Sequence, residues 1–431
     1  MQSIVLCFLL SYQVMGSAER DGPARDTSQF PSLSIPAEVR ARHGTLIEPN
    51  SATTDNSLEQ PDIGTWTAQQ VRAIALDRDH VAPLIRETDF KCISPDLDVW
   101  DAWPVQTADG NPARVAEDVT LWMALAAPHR ADPDERHGLA LIHLFQLDAE
   151  GWHHLGPALP PGFSPGSREW SGSAVLSEDG RDLTLYFTAT GQQGEVALSF
   201  TQRLFSARAT PIREGGNFRL TGWRDLAEIV SRDPAWYMAS DAGTGCVGTI
   251  KAFRDPAYFR DPATGRSYLF FAASLAGSGS SFNGVIGAAV SAEGRPDKWT
   301  ILPPVLSADG VNNELERPHV VMHGGLYYLF WSTQSHVFNP TGPVGPTGLY
   351  GMVSHSIESG WRPLNGSGLV FANPTEAPAQ AYSWLVLPDL SVISFVDNWG
   401  QASDIVPRRF GASFAPTLRL RLDGADASLD R

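Results

Sequence analysis

His323-Gly324-Gly325-Leu326-Tyr327-Tyr328-Leu329-Phe330-Trp331-Ser332 sets two glycines ahead of an unbroken run of aromatic and aliphatic residues. The glycines suit the positive-φ positions of a tight hairpin turn, and residues 326–332 form a strand-length run of types that pack on a pleated surface. The same unit recurs along the chain. Strands are expected over 119–126, 139–147, 183–189, 268–273 and 391–396, each bounded by Gly, Pro, Asp or Ser, and Glu178-Asp179-Gly180 is the turn ahead of 183–189. Helical patterns are scarce. One helix is expected over residues 66–74 with Thr65 as its N-cap, and a short helical turn over 226–230. From about residue 95 to 420 no helix separates the strands, which excludes a parallel βαβ sheet and leaves an all-β propeller or sandwich.

Composition narrows the function class. The chain has 431 residues, 42% of them hydrophobic, and a formal net charge of −16. Such acidity argues against nucleic acid or an anionic membrane surface as the main partner and suits a protein that handles neutral molecules. The 13 Trp and 20 Phe supply rings for β-sheet cores or a sugar cleft. Cys7, Cys92 and Cys246 show no metal-binding spacing, and Cys92 and Cys246 read as buried free thiols, with one bridge between them as the alternative. The apolar run 4–10 followed by Met15-Gly16-Ser17-Ala18 reads as a secretory leader cut after Ala18, although no Lys or Arg precedes it. A secreted or periplasmic location follows from that leader, with a cytoplasmic one as the alternative. Residues 1–60 are read as this leader plus an irregular lead, and 61–431 as a single catalytic domain.

Three acidic motifs carry the chemistry. Asp101 lies between Trp100 and Trp103 in Val99-Trp100-Asp101-Ala102-Trp103-Pro104, Asp255 in Phe253-Arg254-Asp255-Pro256, and Glu316 in Glu314-Leu315-Glu316-Arg317-Pro318. A carboxylate among rings is costly to bury without a partner, whereas rings flanking an acid suit a sugar, and paired carboxyls are what glycoside cleavage needs. The plain alternative is a solvated Asp in a turn with core tryptophans. In a propeller the innermost strand of each blade faces one axis, so acids far apart in sequence can converge.

These three motifs, with Glu169-Trp170-Ser171-Gly172-Ser173-Ala174 falling between the first and the second, resemble in the same order the signature segments of bacterial levansucrases and their relatives in glycoside hydrolase family 68, nearer the proteobacterial branch. Tyr350-Gly351-Met352-Val353-Ser354 and the segment 363–370 extend the resemblance to roughly residues 95–400. It implies a five-bladed β-propeller with a deep axial active-site pocket, and a retaining enzyme that transfers fructosyl from sucrose to water, sucrose or fructan through a covalent fructosyl-enzyme. Asp101 is then the nucleophile, Asp255 the transition-state stabiliser and Glu316 the general acid/base. Trp100, Trp170, Ser171, Arg254, Glu314, Arg317, Gln334 and Tyr382 are the implied substrate-binding residues. Glu314 is expected to share a strand face with Glu316, to bind sucrose hydroxyls and to raise the pKa of Glu316. Sucrose and fructan acceptors are the implied partners of a monomer that needs no cofactor or metal.

Arg-Asp-Pro occurs at 232–234, 254–256 and 260–262. The family pattern places its aspartate shortly before a turn that feeds a strand, which selects Asp255, while Asp261 reads as a hairpin residue and Asp233 as loop. Two departures concern the product. Gln334 stands where the family offers His or Arg, and Trp384 where His is common, so free fructose and short oligosaccharides are expected over long levan. A mainly hydrolytic β-fructofuranosidase and a non-catalytic sugar-binding propeller are the rival readings. Gly162-Phe163-Ser164-Pro165-Gly166 fits the serine-hydrolase pattern, but its prolines make it a loop without the required strand and helix. His153-His154 lacks a third ligand.

Overall fold

Antiparallel meanders of four or five strands follow one another along the chain in a computed structural model that describes residues 62–242, 250–291, 295, 298–399 and 409–431. Blade I comprises Leu97–Gln106, Val119–Pro128, Leu141–Asp148 and Gly151–Pro157, and blade II Arg168–Leu176, Leu183–Thr190, Gln202–Glu214 and Asn217–Val230. Blade III is Phe253–Arg260, Ser267–Ser274, Gly284–Ser291 and Thr300–Ser307. Blade IV is Glu316–His323, Leu326–Thr333 and Gly348–Ser354, closed by the short pieces Arg362–Pro363 and Leu369–Ala372. Blade V runs from Ala381–Val386 through Ser391–Asn398 to Phe410–Phe414, Leu418–Asp423 and Asp426–Leu429. Blades I and II fuse into one sheet where Val105 and Gln106 pair in parallel with Ala174 and Val175. The chain is a five-bladed β-propeller.

The second strand of each blade is the one most readily found from sequence, and its burial explains why. Every residue of Ser267–Ser274 is buried, and so is nearly all of Leu183–Thr190, because these strands pack on both faces between neighbouring blades. The first strands line the axis and carry the polar residues.

Two expectations about helices are corrected. The only α-helix among the described residues is Ala68–Arg72, and its N-cap is Thr67, whose side chain and that of Gln70 form a reciprocal capping box. Thr65 instead belongs to Gly64–Thr65, which pairs in parallel with Leu306 and Ser307 at the edge of blade III. Residues 226–230 are not helical but close the long strand Asn217–Val230, where pairing with Gln202–Glu214 overrides a weak local pattern and buries Ile229 and Val230. Cys92 is exposed rather than buried, its Sγ donating to Ser94 O at 2.8 Å. Cys7, Cys246, the expected leader and the lead to residue 60 lie outside the described residues.

Trp66 anchors the N-terminal segment. It is fully buried, donates from Nε1 to Ser367 O at 2.9 Å, and meets Trp331, Phe338 and Tyr350 at centroid distances of 5.3, 5.6 and 5.0 Å. Trp66→Ala is expected to lower unfolding free energy by about 3–5 kcal/mol, the usual cost of emptying a large aromatic site, as read from urea midpoints.

Candidate active site

Each first strand slips its register by a β-bulge at the axis. The slips fall between Trp100 and Trp103, Trp170 and Gly172, Arg254 and Ala257, Glu316 and His319, and Tyr382 and Leu385. Four of them hold a non-glycine residue at positive φ: Asp101 at 49°, Asp255 at 64°, Arg317 at 48° and Ser383 at 61°. A left-handed residue of this kind costs roughly 1–3 kcal/mol and is retained where the surroundings enforce it, and here it re-aims side chains that strict alternation would send elsewhere. In blade II the bulge holds Gly172, where a Cβ would sit 1.9 Å from Tyr186 O, so only glycine allows that approach.

The bulges gather the three expected acids. Asp101 Oδ2 accepts a hydrogen bond from Ser171 Oγ at 2.6 Å. Asp255 is tied at both ends, its N–H donating to Thr188 Oγ1 at 2.9 Å and its Oδ2 accepting from Arg317 N at 3.3 Å. Arg254 joins the others, with Nη2 2.6 Å from Glu316 Oε1 and 3.3 Å from Glu314 Oε2, and Nε 3.6 Å from Asp255 Oδ2. Tyr382 Oη donates to Glu316 Oε2, so both oxygens of Glu316 accept from the protein. Arg317 donates from Nη1 to Ser383 O and Oγ at 3.2 and 3.0 Å and from Nη2 to Ala102 O at 2.7 Å, with its guanidinium 5.9 Å from the Trp103 ring.

Burial, modified by charge balance, governs the titration. Four carboxyls, on Asp101, Asp255, Glu314 and Glu316, share two guanidiniums. Burial pushes Asp255 up to about 7; Arg254 opposes this, and the charges of Glu316 and Asp101 add to it. Burial likewise lifts Glu314 to about 7 against Arg254, with the Glu316 charge adding to the rise. Glu314 precedes the strand rather than sharing its face, and the two glutamates meet through Arg254. Burial works against the charge of Arg254, but Glu316, Glu314 and Asp255 outweigh it and hold the guanidinium ionised. Burial and the Glu316 carboxyl raise the Tyr382 phenol, keeping it a donor.

Other expected residues sit further out. Trp100 is 2% exposed, with Arg136 5.5 Å from its ring, and Trp170 donates from Nε1 to His137 O at 3.3 Å. Gln334 is half-buried beyond the end of Leu326–Thr333, and no hydrogen bond or ion pair described for it reaches the acids. Trp384 is buried, edge-on to Tyr382 at 5.9 Å and to Phe371 at 5.5 Å, so it supports Tyr382 from behind. Asp261 caps the hairpin turn through Ala263 N and Thr264 Oγ1, and Asp233 caps a loop turn through Ala235 N. Sequence reasoning missed Thr188 and His319. Thr188 Oγ1 donates to Ser171 O at 3.1 Å while accepting from Asp255 N. His319 Nδ1 lies 2.9 Å from Arg317 O and its Nε2 accepts from Val386 N at 2.9 Å, which fixes the proton on Nδ1. An alternating Thr or His gives no local sign of such contacts.

Glu169, beside the axis, is 5% exposed and pushed up to about 7 by burial, with Ile142 N–H donating to it at 2.8 Å. A carboxyl whose pKa is raised in the fold binds a proton that the unfolded chain has released. Its effect is to lower stability as pH rises from about 4 through about 7. Glu169→Gln should flatten that decline, which urea unfolding at pH 4.5, 6 and 7.5 measures.

The comparisons with known proteins agree with this geometry. The family model described as Levansucrase/Invertase matches residues 55–283 and 278–430. The levansucrase of Rahnella aquatilis is 30% identical over 407 residues, covering 85% of this chain and 94% of that protein. Levansucrase LscA of Pseudomonas savastanoi pv. glycinea is 31% identical over 382 residues, with 79% and 88% covered. Among solved structures, inulosucrase from Halalkalicoccus jeotgali bound to kestose superposes with a TM-score of 0.78 at 34% identity, covering 85% of this chain and 95% of that one. With the five blades, the axial acids and matches over nearly the whole described chain, this protein belongs to the levansucrase/invertase family, glycoside hydrolase family 68.

Proposed function

We propose that the chain is a sucrose-cleaving fructosyltransferase working by double displacement, with Asp101, Asp255 and Glu316 as its catalytic residues. The observation that carries this reading is the convergence of the three acids on one axis, each held by donors from another blade. Ser171 occupies Oδ2 of Asp101, which leaves Oδ1 as the oxygen for attack on the anomeric carbon of the fructosyl unit. As that bond forms, the glycosidic bond breaks and Glu316 gives its proton to the departing glucose oxygen. Both oxygens of Glu316 accept hydrogen bonds from the protein, the arrangement of a base. That form suits the second displacement, when Glu316 takes a proton from water or a sugar hydroxyl and the acceptor oxygen replaces Asp101. Rotation of the Tyr382 hydroxyl converts its bond from donor to acceptor when Glu316 is protonated.

Asp255, fixed by Thr188 and Arg317, faces the positive charge that develops on the ring, an electrostatic role rather than a covalent one. Arg254 and Glu314 offer a donor and an acceptor to sucrose hydroxyls, and Trp100, Trp170, Arg317 and Gln334 complete the proposed binding set. Sucrose, water and fructan are the reactants. Export fits the relative from Zymomonas mobilis named extracellular sucrase, and no helix among the described residues is long and apolar enough to cross a membrane.

Incubation with sucrose should release glucose, and a folded protein that releases none would remove the enzyme reading and leave a sugar-binding propeller. Asp101→Asn should reduce glucose release to less than about a hundredth while the fold persists, because an amide cannot form the fructosyl ester. Glu316→Gln should slow glucose departure severely and leave sucrose binding.

Acceptor choice gives a separate expectation. Since Trp384 is buried behind Tyr382, the departure that bears on the product is Gln334. Free fructose and short oligosaccharides should outweigh long fructan at high sucrose, and Gln334→His should lower the ratio of free fructose to glucose. An unchanged ratio would assign acceptor choice elsewhere.

A further inference from the structure

Lys251 is a buried cation behind the catalytic axis, three residues ahead of Arg254 and 5% exposed. Its Nζ donates to Ser281 O at 2.6 Å, Asn283 Oδ1 at 2.8 Å and Asn313 Oδ1 at 3.0 Å. An ammonium has only donors, so it dictates which end of the Asn313 amide faces it. With Oδ1 on the lysine, the amide nitrogen must point the other way, and Nδ2 donates to Ile250 O at 3.0 Å and Glu314 Oε1 at 3.2 Å. Glu314 Oε2 accepts from Arg254, and the Glu314 N–H donates to Asn312 Oδ1 at 2.8 Å. The carboxyl is thus held from both sides, by a lysine-set amide on one oxygen and a guanidinium on the other.

We infer that Lys251 is a positioning residue for sucrose binding, acting through the Asn313 amide to keep Glu314 oriented and ionised as an acceptor for sugar hydroxyls. The inference rests on the proposed role of Glu314 in binding sucrose. Without the lysine, Asn313 Oδ1 loses its cationic donor and only the Ile250 carbonyl and Glu314 itself hold Nδ2, so the amide is less firmly set, and a flipped amide would present Oδ1 to a carboxylate. That arrangement favours the protonated acid, which accepts less well. Glu314 is faced by Arg254 and Lys251 from the blade III side, by Glu316 on its own segment and by Tyr382 from blade V. Arg254 is the stronger cation for it; the lysine link decides the geometry of the second oxygen. Glu314 already lies near neutrality, at about 7, so a modest loss of support changes its charge where the enzyme would work.

The test uses Lys251→Met, which keeps the side-chain length without a donor, and Asn313→Ser, which cuts the link and leaves the lysine its other partners. Glutamate labelled with 13C at the side-chain carboxyl allows NMR titration of the full chain, the Glu314 signal being the one missing from Glu314→Gln. In both variants the Glu314 midpoint should move up by about one pH unit, within the range that a nearby opposite charge produces. In parallel, KM for sucrose at pH 7 should rise about tenfold, the cost of a disturbed hydrogen bond to a charged group, while kcat changes less than about threefold. KM should also begin to rise at higher pH than in the parent chain. A Glu314 midpoint unmoved in folded Lys251→Met or Asn313→Ser would overturn the inference whatever the activity. Absence of glucose release by the parent chain would instead overturn the sucrose reading, and the NMR titration does not depend on it.

Discussion

Arg317 joins four blades at one buried guanidinium and one backbone N–H. It belongs to blade IV, donates to Ala102 O in blade I and to Ser383 in blade V, and its main chain donates to Asp255 in blade III. A propeller buries the bulged first strands around its axis, and each bulge frees a carbonyl from the ladder. The fixed fork of a guanidinium satisfies such carbonyls from different strands at once, which an ammonium on a flexible stem would do with less order. Its left-handed backbone is held by His319, which bridges the Arg317 carbonyl to the Val386 N–H. Burial drives His319 down to about 4, and the neutral ring is the form both hydrogen bonds require. The alignment of the axial acids therefore depends on closure of the ring of blades, since each acid takes at least one partner from another blade.

The same centre is electrostatically short of cations. Two guanidiniums serve four carboxyls, and burial raises Asp255 and Glu314 toward neutrality against the pull of Arg254, which stays charged. This is an arrangement suited to chemistry in which carboxyls exchange roles and protons through the cycle. It costs stability, because a raised carboxyl penalises folding as pH climbs, and the large aromatic and aliphatic core between the blades offsets that cost.

Much of this was legible in the residues themselves. The second strands of all five blades stand out as apolar runs after turn residues because they are buried on both faces, so their pattern depends little on partners. Asp101, Asp255 and Glu316 are marked by their motifs, and Asp255 is separated from Asp233 and Asp261 by the strand and turn that follow it. The scarcity of helices is likewise a local property, whereas the need for Gly172 comes from the close approach of Tyr186 O on the neighbouring strand. The first strands were less legible since a bulge breaks the alternation that identifies a half-buried strand.

What tertiary structure alone decided are the relations between residues far apart in the chain. Thr67 caps the helix because Thr65 is taken by the edge of blade III, and residues 226–230 are strand because blade II offers them a partner. Trp384 turns out to be a support for Tyr382, and burial raises the pKa of Glu314 against Arg254 because both its burial and the placement of Arg254 are set by neighbouring blades. Residue type and spacing determined which groups can do the chemistry. Which oxygen each donor reaches was decided only when the blades closed, because hydrogen bonds and desolvation act through distance in space and not along the sequence.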